Sequence, residues 1–115
     1  MELILTEKPS VARDIARVLN VSAKRDGFLE GNGYVITWAL GHLLELSQPN
    51  AYDPLYEQWQ LDRLPIIPET FRREPIERTK DHYAIVKRLL SRSDLVSIVC
   101  ATDAGREGEL IFRLI

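Results

Sequence analysis

A single cysteine, Cys100, occurs in the 115 residues, so no disulfide can form within the chain and a reducing compartment suits it. One cysteine and two dispersed histidines, His42 and His82, also fall short of the ligand set of a zinc site. Glycine and proline supply only six positions each, and apolar residues make up 45%, which excludes a disordered or low-complexity chain. No apolar run approaches the ~20 residues that a membrane-spanning helix needs. The opening MELILTEK has no basic stretch of the kind that starts a signal peptide, and a cytoplasmic location is expected. Neither GxxxxGK[ST] nor GxGxxG is present, so a nucleotide-binding P-loop is unsupported. A strong excess of either charge is missing too: the net charge is −2, which gives no global bias toward nucleic acid and still allows a locally basic site or one that presents metal to phosphate.

What remains is enough for one folded domain, 1–115, with a modest core. Residues 2–6, ELILT, read as a buried parallel strand. After Glu7-Lys8-Pro9-Ser10, the repeat of Val11, Ile15, Val18 and Leu19, with Ala12 and Ala16, predicts a helix whose start accommodates Pro9. Two strands are expected in 27–40 around Gly31-Asn32-Gly33, a hairpin signal. Residues 47–78 hold Pro49, Pro54, Pro65, Pro68 and Pro75 with scattered aromatics (Tyr52, Tyr56, Trp59, Phe71) and read as an ordered, irregular insertion. A helix over 79–92 places Tyr83, Val86, Leu89 and Leu90 on its core face, and 95–101 reads as a second buried, central strand. The chain stops at Ile115 inside the helical pattern GELIFRLI, so it is expected to be part of a longer protein.

This order predicts an α/β sandwich with a mostly parallel sheet, in which ligands gather outside the carboxyl ends of the strands. Glu7 and Asp103 follow the two expected central strands, so the fold should bring Glu7 beside the stretch CATDAGREGEL at 100–110. Asp103 and Glu107, with Glu7, are hard oxygen ligands suited to Mg²⁺, which takes one or two carboxylates and keeps waters. An equally good reading of the same acids is a helix start, with Asp103 as cap and Glu107 and Glu109 favouring the dipole. Gly105 and Gly108 tilt the balance toward a ligand approached by backbone. Glu7-Lys8 suits a general acid/base beside a phosphate-binding cation, although the residues alone favour a solvated ion pair. Cys100 reads as an inert thiol inside a strand, His42 as structural, and the basic residues between Arg72 and Arg88 as a solvated face interleaved with acids.

Three blocks, LILTEKPSVARDIA, VITWALGHLLEL and DLVSIVCATDAGREGELIFRLI, together resemble the Toprim (Rossmann-like) domain that opens type IA DNA topoisomerases, above all the topoisomerase III branch. The resemblance covers nearly the whole chain. It implies an enzyme that breaks, passes and rejoins single DNA strands with Mg²⁺ and without ATP. It implies that Glu7 is the general acid/base at the scissile phosphate, that Lys8 lies near that phosphate, and that Asp103 and Glu107 belong to the acidic metal-binding set. The family pattern DxDREGE has Gly105 at its second aspartate here, leaving Glu7 or a water to complete the set. The family's nucleophilic tyrosine lies beyond residue 115, and Tyr34, Tyr52, Tyr56 and Tyr83 match no such motif. The Toprim fold also continues with a further strand, so the domain is expected to be C-terminally truncated and inactive alone, with DNA and the remaining topoisomerase domains as partners. A Toprim primase or nuclease, or a non-catalytic nucleic-acid-binding module, are the alternatives.

Overall fold

A computed structural model of the protein describes residues 1–58 and 60–115; Trp59 lies outside the described residues. The central sheet has the order β2-β3-β4-β1-β7. Its axis is β1 (Glu2–Thr6), where Leu3, Ile4, Leu5 and Thr6 are all buried. β1 pairs in parallel with β4 (Tyr34–Trp38) on one side and β7 (Ser97–Ala101) on the other. Beyond β4 the sheet turns antiparallel through β3 (Phe28–Gly31) and β2 (Ala23–Arg25). The expected sheet is therefore mixed: the parallel part is the half that ends at Glu7 and Asp103.

The β3–β4 hairpin closes through Asn32-Gly33, both at positive φ (53° and 85°). That is the backbone of a tight two-residue turn, and it explains why asparagine and glycine stand there. Helix α1 (Pro9–Val18) covers one sheet face through Ala12 and Ala16, which pack with Ile4, Val21, Leu29 and Ile36. The buried stripe is thus the alanine side of the predicted face, and Val18 is 76% exposed. The other face carries α2 (Lys80–Leu90) and α3 (Arg106–Leu114), whose Val86, Leu89 and Ile111 pack with Leu3, Leu5 and Val35. Tyr83 and Leu90 join this layer half-buried, as the α2 pattern predicted.

Two expectations fail at β7. It is the edge strand of the sheet, not a central one, and Ser97, Ile98, Val99 and Cys100 are all exposed. An apolar strand sequence reports that a strand forms but not how many neighbours cover it. Cys100 is accordingly an exposed thiol, with Sγ 3.2 Å from the Thr102 hydroxyl.

The excursion over 47–78 is ordered by short 3₁₀ turns at Pro49–Ala51, Pro54–Glu57, Leu61–Arg63 and Glu77–Thr79. A small antiparallel pair, β5 (Leu44–Leu46) with β6 (Arg73–Pro75), ties its two ends together. The Arg72 guanidinium lies over the Tyr52 ring at 4.4 Å, and the Arg72 backbone N–H donates to the Tyr52 hydroxyl oxygen. The molecule is elongated, 58 × 27 × 24 Å, as suits a sheet domain carrying an excursion that makes few contacts with it.

Candidate functional site at the carboxyl end of the parallel strands

β1 and β7 run in the same direction with Thr6 opposite Ala101, so the chain leaves both strands at one end of the sheet. The turn after β1 is fixed from within. The buried Thr6 hydroxyl donates to the Lys8 carbonyl at 3.0 Å, and that carbonyl also accepts the Ala12 N–H at 3.2 Å as α1 begins. Glu7 is thereby held between a central strand and a helix start. Its Oε1 accepts the backbone N–H of Asp103 at 3.0 Å across 96 residues of sequence. The expected meeting of Glu7 with the acidic turn is thus present as a hydrogen bond.

The acidic turn is packed rather than merely adjacent. α3 starts at Arg106 with Gly105 as its N-cap, and no side chain caps it. Asp103 lies outside the helix and does not cap it, so the helix-start reading fails for this residue while Glu107 and Glu109 do sit in the first turn. Gly108 is buried, and a Cβ there would stand 2.1 Å from the Asp103 carbonyl oxygen and 2.8 Å from Glu7 Oε1. Its lack of a side chain serves the approach of α3 to the Asp103 segment, not the approach of a ligand. At Gly105, by contrast, a Cβ would meet nothing within 4 Å, and φ is −151°, an extended value open to any residue.

The polar side chains sort into paired and unpaired groups. Glu109 reaches back to Arg113 at 2.8 Å, which raises the Arg113 pKa and takes Glu109 out of the cluster. Glu107 points the other way, with Oε1 3.6 Å from His42 Nε2. His42 follows Gly41, whose φ of +73° turns the chain after β4 toward the site. Sequence reasoning set His42 aside as structural, and only the tertiary contact places it beside Glu107; its position after the C-terminal end of a parallel strand was the available signal. Lys8 makes no ion pair with Glu7 or any other carboxylate among the described residues, so the solvated-pair reading does not hold.

Among the described residues no three His, Cys, Asp or Glu side chains converge closely enough to form a ready metal cage. The donor chemistry nevertheless fits Mg²⁺. The Asp103 carboxylate and Glu7 Oε2 have no protein hydrogen-bond donor among the described residues, and they sit with Glu107 at one exposed end of the sheet. An ion that keeps most of its waters needs no more than one or two such carboxylates.

Residues 2–115 match the Toprim domain family. The chain is 52% identical over 112 residues to DNA topoisomerase 3 of Shouchella clausii, covering 97% of this chain and 15% of that protein. It is 50% identical over 113 residues to DNA topoisomerase 3 of Staphylococcus haemolyticus and of Bacillus thuringiensis, covering 98% of this chain and 16% of each. The chain therefore spans about a sixth of the length of these relatives. With Glu7, the acidic turn and the mixed sheet in place, the chain belongs to the Toprim domain family.

Proposed function

We propose that this chain is the acid/base and Mg²⁺-binding part of a type IA DNA topoisomerase that breaks, passes and rejoins single DNA strands without ATP. The carrying observation is the Glu7–Asp103 hydrogen bond, which ties the proposed proton-transfer residue to the proposed metal residues. Lys8, a cation with no carboxylate partner among the described residues, offsets charge on a phosphodiester drawn to this end of the sheet. Glu7, fixed by the Thr6-braced turn, gives a proton to the leaving sugar oxygen on cleavage and takes it back on rejoining. Asp103 and Glu107, with Glu7, hold Mg²⁺, which offsets further phosphate charge when bound. His42 positions the Glu107 carboxylate. The nucleophilic tyrosine comes from outside these 115 residues, so the chain alone does not relax DNA. No helix among the described residues is long and apolar enough to cross a membrane, and the reading places the protein with DNA in the cytoplasm.

Calorimetric Mg²⁺ titration tests the reading. Asp103→Asn and Glu107→Gln should each weaken binding about tenfold or more, since losing even an outer-shell partner of a metal ligand typically costs about 10–100-fold. Gly105→Asp, which fits sterically, should tighten it. Equal binding by the wild-type chain and both acid variants would refute the metal assignment, and plasmid relaxation by the chain alone would refute the external tyrosine.

A further inference from the structure

A groove lies between α1 and the β2–β3 hairpin, at the end of the sheet where β4 finishes. One part, about 170 Å³, is lined by Arg13, Lys24, Arg25, Phe28, Leu29 and Trp38. It continues into a second part of about 310 Å³ that shares Arg13, Lys24 and Leu29 and adds Arg17. Four cations thus gather in one depression of a chain whose net charge is −2. Their neutralisation is slight. Arg13 and Lys24 have no carboxylate within ion-pair distance among the described residues. Arg25 reaches Glu30 only at 4.0 Å, and Arg92 already holds that carboxylate at 2.9 Å. Arg17 alone has its own partner, Asp14, at 3.3 Å, and both are exposed. The floor is formed by two half-buried rings, Phe28, which also packs against the core beneath α2, and Trp38, which stacks on His82 of α2 at 5.4 Å.

The position of the groove gives it a use. Trp38 ends β4 opposite Thr6, the residue before Glu7, and Arg13 and Arg17 continue along α1 from Lys8. We infer that this groove carries a single-stranded segment of nucleic acid, its phosphates on Arg13, Lys24 and Arg25 and an unpaired base against Phe28 and Trp38, leading toward Glu7. Cations that follow a backbone combined with exposed ring surface make up the common design for single strands. The inference rests on the DNA-directed reading above but assigns residues that reading does not use.

Fluorescence anisotropy with a labelled twelve-residue oligothymidylate, in EDTA at low salt, tests it without involving the metal. Arg13→Ala/Lys24→Ala should weaken binding about tenfold or more and lower the slope of log affinity against log salt by about 1.4, as expected for two lost single-strand phosphate contacts. Lys87→Ala/Arg88→Ala removes the same charge from exposed positions of α2 outside the groove lining and should change affinity less than about twofold. An abasic strand of equal length should bind about tenfold more weakly for want of stacking. Equal weakening by the two double variants overturns the groove, as does equal binding of the abasic strand. So does an absence of wild-type binding up to about 1 mM, well beyond the weak end of ordinary non-specific affinity. These failures would leave the Mg²⁺ titration untouched, and failure of that titration would leave the groove standing.

Discussion

β1 and β7 lie side by side in the same register, and both are short apolar strands followed by an acid of the site, yet their surroundings are opposite. β1 is covered on both faces and flanked on both edges, whereas Ile98 and Val99 of β7 remain 47% and 40% exposed. Glu7 therefore follows a fully covered strand, and the Asp103 turn follows the edge strand. The edge is held to the centre by the parallel pairing of β7 with β1, to which the Glu7–Asp103 hydrogen bond, the close seat of Gly108 and the ion pairs ahead of β7 add. The two halves of the site therefore differ in burial: Glu7 follows the covered strand and Asp103 the strand at the edge.

The largest test of the contrast is truncation of the two strands. Leu5→Ala, at 1% exposure, should cost about 2–5 kcal/mol in denaturant unfolding. Ile98→Ala should cost about 1 kcal/mol or less, since most surface positions contribute little. Similar losses at the two positions would mean that β7 is as well supported as β1.

Next in size is Gly108→Ala. The added methyl must displace the Asp103 backbone, and overpacking of this kind costs about 1–3 kcal/mol. The same variant should also weaken Mg²⁺ binding, because Asp103 moves with its carbonyl. A stable variant with unchanged Mg²⁺ affinity would show that the acidic turn does not rest on α3.

The smallest effect concerns the approach to β7. Arg92 holds the Asp94 carboxylate below the ordinary aspartate value of 3.8, chiefly by hydrogen bonds of 2.7 and 2.9 Å. Because the charged form is the favoured one, its contribution is present above the ordinary aspartate range and is lost as pH falls through the lowered native value. Asp94→Asn should therefore lower Tm slightly near neutrality, and the gap should close as pH falls through that lowered value. A gap unchanged across that range would remove the ion pair from the support of β7.

Much of this was legible from pattern alone. The bounds of β1, the Asn32-Gly33 hairpin and the core face of α2 follow from periodicity and turn chemistry, which act within a few residues. The pairing of Glu7 with Asp103 followed from topology, because parallel strands deliver their carboxyl ends to one edge. The small β5–β6 pair was not legible, since strands of three residues carry too few positions to show a period. The true burial stripe of α1 was not legible either: alanine reads as neutral until a sheet is close enough to exclude larger side chains.

By itself the sequence determined that a strand–turn–helix unit presents Glu7 and Lys8, that an acidic turn follows another strand, and that glycine occupies two positions of that turn. Only the tertiary structure decided what those features mean. It made β7 an edge, gave Gly108 a backbone neighbour and Gly105 open space, sent Glu109 to Arg113, and brought His42 to Glu107. The reason is physical: local pattern fixes which backbone forms, whereas burial, partner choice and free volume depend on residues that meet only when the chain is packed.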